Sequence, residues 1–143
     1  MAEYVALDVE TTGLDPQRDE IIEIGLVRFD AEGETESYTT LIDPDCPVPY
    51  SIQRLTGITG EALAGAPRKD QVLHPVVEFI GNRAIVGQNL AFDLAFLSRS
   101  GITFHNSTYD TIELAKVLLP TPASASQGPS RRLRGYGHLS SAP

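Results

Sequence analysis

Residues 4–14 read YVALDVETTGL, an apolar run that leads into two acidic residues and a small polar segment. The apolar part is typical of a short buried β-strand. Side chains two positions apart on a strand point to the same side, so Asp8 and Glu10 should lie side by side at its end. Two adjacent carboxylates repel each other, which raises the pKa of one or attracts a cation. Oxygen ligands on a rigid strand suit Mg²⁺ or Mn²⁺, and the pattern indicates metal-assisted chemistry on a phosphate ester.

The same Asp-x-Glu pattern is common on solvated protein surfaces, so a surface pair is the alternative at this point. The apolar strand before Asp8 and the small Gly13 after the acids favour a site. Thr11, Thr12 and Gly13 are expected to form a polar turn with exposed backbone N–H groups.

Composition limits the class of protein. The chain has 143 residues, 41% of them hydrophobic, which fits one domain with a buried core. We expect no membrane association, because no apolar run approaches transmembrane length and the first residues do not resemble a signal peptide. Cys46 is the only cysteine, which favours a reducing, cytoplasmic location. The net charge of −8 argues against tight, sequence-specific duplex binding, but bound divalent cations would still allow a nucleic-acid substrate.

Apolar periodicity and turn residues predict an alternation of strands and helices. Three strands joined by short turns predict an antiparallel meander, and two shorter strands follow, each leading into a helix. Ser51 and Asp70 are the expected N-caps, and Tyr4 and Phe29 are expected in the core. The predicted strands are 4–9, 21–29, 37–42, 84–86 and 108–110, and the predicted helices are 52–55, 71–80, one from 89, and one from 111 to 118 or 119.

The composition changes at Pro120. Residues 121–143 are rich in Ser, Pro, Ala, Gly and Arg and lack apolar periodicity, which predicts a disordered tail after a domain at residues 1–120. Arg131, Arg132 and Arg134 could contact phosphates, although such short clusters are more often solvated.

A second segment with one conspicuous acid is residues 87–97, GQNLAFDLAFL. It predicts a helix that places Asp93 near Asn89. A carboxylate in apolar surroundings needs a partner, such as a metal ion or the N–H groups of a helix N-terminus. Both partners remain open from the residues alone.

Together these segments resemble a known family. DVETTGL at 8–14 resembles the first motif of the DEDD exonuclease superfamily, and Asn89-x-x-x-Asp93 resembles the second. The similarity is to the DEDDh-type subgroup, typified by the proofreading epsilon subunit of bacterial DNA polymerase III and by ribonuclease T. The segments IIEIG at 21–25, LTGIT at 55–59 and YDTIELA at 109–115 also match recurring family segments, so the resemblance covers about residues 4–120.

The resemblance implies an α/β, ribonuclease H-like fold, with a five-stranded mixed sheet flanked by helices. It also implies 3′-to-5′ removal of nucleotides from DNA or RNA, in proofreading or repair, with two Mg²⁺ or Mn²⁺ ions about 3.5–4 Å apart. The implied partners are single-stranded 3′ ends and a DNA polymerase or helicase. Whether the substrate is DNA or RNA, and whether the parent is a polymerase, a helicase or a free nuclease, remains open.

The resemblance also assigns roles by position. Asp8 would bridge both ions, Glu10 would bind one ion near the attacking water, and Asp93 would ligate the other. The residues that would seat the terminal nucleotide are Thr11, Thr12, Gly13 and Leu14, with Asn89 shaping the pocket.

One family feature is missing. The family uses His-x-x-x-x-Asp on a late helix as general base and fourth carboxylate, whereas His138 is followed five positions later by Pro143. His105 and Asp110 have the right spacing, which we interpret as coincidence because they lie before and within a predicted strand. We therefore expect the last family helix to be missing, apolar sheet surface to be uncovered, and this polypeptide to be inactive or nearly so.

A reading-frame shift near codon 120 and a natural short paralogue are alternative explanations of the missing motif. Two other functions remain open. One is a noncatalytic module that binds nucleic acid, a polymerase or a helicase, and the other is a different nucleotidyl hydrolase built on the same sheet.

Overall fold

The computed structural model describes residues 1–119, so the predictions for residues 121–143, including Arg131, Arg132, Arg134 and His138, lie outside the described residues. The strands are β1 (Tyr4–Thr11), β2 (Ile21–Asp30), β3 (Gly33–Leu41), β4 (Ala84–Gly87) and β5 (Thr108–Asp110). The helices are α1 (Tyr50–Thr56), α2 (Gly60–Ala64), α3 (Lys69–Ile80), α4 (Leu90–Arg99) and α5 (Thr111–Leu118).

The five strands form one mixed sheet in the order β3-β2-β1-β4-β5. β1, β2 and β3 make the expected antiparallel meander. β4 pairs in parallel with β1, and β5 pairs in parallel with β4. The predicted α/β architecture with a five-stranded mixed sheet is confirmed, and β1 lies at its centre.

The two faces of β1 differ in burial. Val5, Leu7 and Val9 are buried, whereas the alternate residues are partly or fully exposed. The buried face packs against α3 and α4, and burial of each such side chain contributes about 1.5–3 kcal/mol. The helix residues in this core are Val72, Val76, Phe79, Ile80, Leu90, Phe96 and Leu97.

Residues 1–119 cover the other face of the sheet incompletely. Tyr4 and Phe29 stack there with ring centroids 5.5 Å apart, and Tyr109 packs edge-on against Tyr4. The prediction that Tyr4 and Phe29 belong to the core is therefore wrong, because their position in the strand register turns both rings to the face opposite α3 and α4. The apolar side chains of α5 are exposed as well: Ile112, Leu114, Val117 and Leu118.

The helix starts differ from prediction for local reasons. α1 begins after Pro49 and is not capped by Ser51. The N-cap of α3 is Arg68, whose backbone N–H donates to the Gln71 side chain at 2.9 Å, so Asp70 lies inside the helix. The helix α2 was not predicted, although Thr59 caps it by accepting a hydrogen bond from the Ala62 N–H at 3.2 Å.

Within residues 1–119, no helix is long and apolar enough to span a membrane.

Candidate active site

The site begins where β4 stops short of the end of β1. β4 pairs with β1 from Tyr4 to Ala6, whereas β1 runs on to Thr11. The chain leaves β4 at Gly87 and enters α4, which packs closely on β1. A Cβ atom at Gly87 would lie 2.8 Å from Leu90 Cδ1 and 3.0 Å from the Leu7 carbonyl oxygen, so only glycine permits this approach.

The side chain of Asp93 supplies a hydrogen-bond acceptor to β1 at Val9, beyond the last residue of β1 that pairs with β4. Its Oδ1 accepts a hydrogen bond from the Val9 backbone N–H at 3.0 Å, because β4 no longer supplies an acceptor there. Asp93 is only 3% exposed. The bond fixes the carboxylate against the strand that carries Asp8 and Glu10.

The electrostatics of Asp93 show that the three carboxylates share one neighbourhood. Burial raises the pKa of Asp93 from 3.8 to about 7, the Val9 N–H opposes that shift, and the charges of Asp8 and Glu10 add to it. Two acids on β1 therefore act on one acid of α4. A buried carboxyl group beside two further acids favours either protonation of Asp93 or a bound cation.

Asp8 and Glu10 lie on the same side of β1, as predicted. Asp8 is exposed and faces Gly25 of β2, whereas the half-buried Glu10 faces Glu23. Acids directly opposite each other on neighbouring strands repel, so Glu23 adds to the negative potential at this end of the sheet. The acidic end of the sheet is thus built from β1, β2 and α4.

The donor chemistry of this site fits a divalent cation. Carboxylate oxygens are the ligands that Mg²⁺ and Mn²⁺ prefer. A bound cation would also make the ionised form of Asp93 favourable. Within residues 1–119, however, no three histidine, cysteine or acidic side chains are close enough to form a ready-made metal site. Asp8, Glu10 and Asp93 are the residues that could hold an ion, with Asp93 already fixed in place.

The segment after Glu10 is more ordered than a polar turn. Thr11 ends β1, and Thr11 and Thr12 are buried rather than exposed, which corrects the expected turn. The Thr11 hydroxyl donates to the Gly13 carbonyl oxygen at 2.6 Å, and the Thr12 N–H donates to the Glu20 carbonyl oxygen at 2.9 Å. At the tip, Leu14 is 73% exposed.

Asn89 and Asp110 meet at the start of α4. Asn89 has left-handed backbone angles, with φ 53° and ψ 47°, and its N–H lies 3.3 Å from Asp110 Oδ1. The carboxylate of Asp110 also accepts from the Leu90 N–H at 2.9 Å and the Ile112 N–H at 2.8 Å. One aspartate therefore caps both α4 and α5.

Sequence reasoning placed Asp110 in a family segment but missed this double cap. Burial alone would raise the pKa of Asp110, but backbone N–H groups of α4 and α5 outweigh that effect and hold the pKa below its usual value. The signal available in the sequence was Glu113, because an N-cap residue followed three positions later by Glu precedes many helices.

Neither histidine of residues 1–119 belongs to a ready-made metal site with the acids. His105 precedes β5, and its neighbour Asn106 bonds the carbonyl oxygens of Gly81 and Arg83, which precede β4. Since β4 and β5 are parallel to β1, His105 lies at the opposite end of the sheet from Asp8. His74 is an exposed residue of α3, 3.3 Å from Glu78.

The fold and the acids at the end of β1 define a ribonuclease H-like domain with a candidate cation site. Residues 5–126 match the family model RNase_T, described as "Exonuclease". The chain therefore belongs to this exonuclease family, whose members are metal-dependent.

Two bacterial replication proteins are similar in sequence. The DNA polymerase III PolC-type protein of Clostridium perfringens (strain 13 / Type A) is 41% identical over 122 residues, which are 82% of this chain and 8% of that protein. The DNA polymerase III subunit epsilon of Aquifex aeolicus (strain VF5) is 34% identical over 122 residues, which are 82% of this chain and 60% of that protein. The chain thus spans less than two thirds of either relative.

Solved structures of exonucleases share the fold. Exonuclease X in complex with 5′ overhanging duplex DNA has a TM-score of 0.68 and 25% identity, over 82% of this chain and 64% of that one. A product-bound exonuclease I has a TM-score of 0.71 over 82% of this chain and 31% of that one, and its 18% identity makes this a similarity of fold alone.

Proposed function

We propose that this chain is a 3′-to-5′ exonuclease domain that acts on single-stranded 3′ ends of DNA or RNA. The observation that carries the proposal is the buried Asp93, fixed on Val9 beside the β1 acids that oppose its ionisation. Membership of the exonuclease family and the similarity to an exonuclease in complex with DNA support the same reaction.

Mg²⁺ or Mn²⁺ is the proposed cofactor, held by Asp8, Glu10 and Asp93. Such ions polarise phosphoryl oxygens and lower the pKa of a bound water. Asp8 and Glu10 contribute charge from the strand, and the Val9 N–H keeps one Asp93 oxygen oriented. The segment from Thr11 to Leu14 would seat the terminal nucleotide, with the exposed Leu14 against its base.

We expect the 143-residue polypeptide to hydrolyse its substrate weakly or not at all. Proton transfer from the attacking water needs a general base, and His105, the histidine with the family spacing, lies at the far end of the sheet. General-base help, which His105 cannot give from that position, is typically worth about 10²–10⁴ in rate. Activity would therefore depend on Mg²⁺ or Mn²⁺ and remain far below that of an enzyme with a positioned base.

The test is release of mononucleotides from a 3′-labelled single-stranded oligonucleotide, with Mg²⁺ or Mn²⁺ and with EDTA. Asp8→Ala should abolish any metal-dependent release, whereas Glu34→Ala, an exposed acid on the edge strand β3, should not change it. Release that persists equally in Asp8→Ala or in EDTA would contradict the proposal.

A noncatalytic binding module is the second candidate, favoured by the position of His105, the histidine with the family spacing, at the opposite end of the sheet from Asp8. It predicts binding of single strands with Mg²⁺ but no release by any variant. Because both sequence relatives are DNA polymerase III proteins, a replicative polymerase is the proposed partner, and the cytoplasm is the proposed location.

A further inference from the structure

We infer that Asp19 is a positioning residue that holds the loop at residues 12–15 in the shape that receives the terminal nucleotide. The inference rests on the proposed function and adds a residue that does not belong to the acidic site itself. Asp19 precedes β2 and reaches back under the loop that follows β1.

The Asp19 carboxylate occupies the inside of the 12–15 loop. Its Oδ2 accepts the Asp15 N–H at 2.9 Å, and its Oδ1 lies 3.3 Å from the Thr12 hydroxyl, which donates to it. The backbone of the two segments is joined as well, because the Asp19 N–H donates to the Asp15 carbonyl oxygen at 2.8 Å. One carboxylate thus bonds both ends of the loop.

Gly13 makes room for this carboxylate. A Cβ atom at Gly13 would overlap the carboxylate group of Asp19. The backbone of Gly13 is not in the left-handed region, so the need for glycine comes from the space that Asp19 fills. Gly13 and Asp19 therefore form a matched pair, and a change in either should disturb the loop.

The loop carries an exposed apolar side chain that its own fold does not use. Leu14 is 73% exposed at the tip, while Thr12, at the base of the loop, is 6% exposed. The Thr12 hydroxyl accepts the Glu20 N–H at 3.0 Å, which anchors that base to the chain just before β2. An ordered loop that presents an exposed leucine, in the segment that directly follows the β1 acids, has already lost the freedom that binding would otherwise remove.

The expected consequence is on substrate binding rather than on the chemical step. Asp19→Ala removes the acceptor for the Asp15 N–H and leaves a void beneath Gly13. We expect the Kd for a single-stranded oligonucleotide, or KM where release is measurable, to rise about 10-fold or more, because two hydrogen bonds to the Asp19 carboxylate and the loop order are lost. kcat should change less than KM. Asp19→Asn, which keeps the shape and an acceptor oxygen, should restore binding to within about 3-fold of the parent.

A spectroscopic measurement tests the loop without any substrate. The sequence contains no tryptophan, so Leu14→Trp introduces a single indole reporter in the loop, which can be excited at wavelengths where the tyrosines do not absorb. In that background, Asp19→Ala should increase the nanosecond motion seen in the anisotropy decay of the introduced indole, and Asp19→Asn should not. The matched control is Asp30→Ala, because Asp30 makes equivalent bonds to the Glu32 and Gly33 N–H groups in the distant β2–β3 turn.

A double substitution gives the sharpest result. Gly13→Ala alone should weaken binding by forcing Asp19 out, but it should add little in the Asp19→Ala background, where the space is vacant. Additive losses, equal effects of Asp19→Ala and Asp30→Ala, or loss of kcat without a change of Kd or KM would overturn the inference. If the unsubstituted chain binds no oligonucleotide, the proposed function and the substrate half of this inference both fail, and the anisotropy decay alone decides the role of Asp19 in the loop.

Discussion

Asp93→Asn should stabilise the metal-free protein above pH 7 while removing a proposed cation ligand. Asparagine has nearly the same shape and keeps an oxygen that can accept the Val9 N–H, which Asp93 accepts at 3.0 Å. It cannot ionise, so it does not place a charge in a position that is 3% exposed and close to Asp8 and Glu10.

The magnitude follows from the pKa of Asp93, which burial and then the neighbouring acids raise from 3.8 to about 7. A carboxyl group whose pKa is higher in the folded state than in the unfolded state binds its proton more tightly in the folded state. Its contribution to stability is therefore complete below pH 3.8 and is lost as the pH rises through 7. Asp93 should lower the free energy of unfolding, compared with asparagine at the same position, by almost nothing below pH 4. The difference should be about 1.5 kcal/mol at pH 5 and about 4 kcal/mol above pH 7.

The assay is urea unfolding in EDTA at several values between pH 4 and pH 8. The free energy of unfolding of Asp93→Asn should exceed that of the parent by an amount that grows with pH. Mg²⁺ should reduce this difference, because it stabilises only the parent. Asp70→Asn, at an exposed position of α3, should stay within about 0.5 kcal/mol of the parent at every pH. A difference that does not vary with pH, or a parent more stable than the variant at pH 8, would refute the reasoning.

Three further predictions concern the supports of the site. Gly87→Ala should lower the free energy of unfolding in urea by about 1–3 kcal/mol, because the added Cβ would crowd Leu90. Gly65→Ala, where the added Cβ has open space, should be tolerated, and equal effects of the two substitutions would contradict this prediction. Asp110→Ala should cost about 1–3 kcal/mol by uncapping two helices, and a loss below about 0.5 kcal/mol would show that the caps contribute little. Calorimetric titration with Mn²⁺ should release protons at pH 6 but fewer at pH 8, because Asp93 is largely protonated below pH 7, and release independent of pH would exclude Asp93 as a ligand.

The sheet was predictable because its strands carry their own local signals. Apolar stretches bounded by turns located β1, β2 and β4, Thr and Tyr residues indicated β3, and a brief strand was also predicted at β5. Alternation on β1 correctly placed Asp8 and Glu10 on one side. The resemblance to the exonuclease family added the parallel part of the architecture. Strand ends were less accurate: β3 begins at Gly33, because pairing with β2 continues into the turn that sequence alone interprets as a loop.

The geometry of the site was less accessible from sequence, because it depends on contacts between distant segments. The segment around Asp93 suggested a partner, but nothing local could identify the Val9 N–H, 84 positions away. The burial of Thr11 and Thr12 was missed for the same reason, since Glu20 supplies the pairing that converts a polar turn into an extension of β1. The placement of Asp19 under Gly13 likewise becomes visible only in three dimensions.

The sheet order separates the acidic site into parts that form at different moments of folding. β1, β2 and β3 join through neighbouring stretches of chain, so Asp8 and Glu10 can be positioned by short-range pairing. Asp93 arrives only when β4 and α4 close a far longer loop, which is slower because of the entropy of closure. A cation should therefore find its complete set of ligands late, slowing unfolding without accelerating refolding, and stopped-flow traces with and without Mg²⁺ would show this asymmetry.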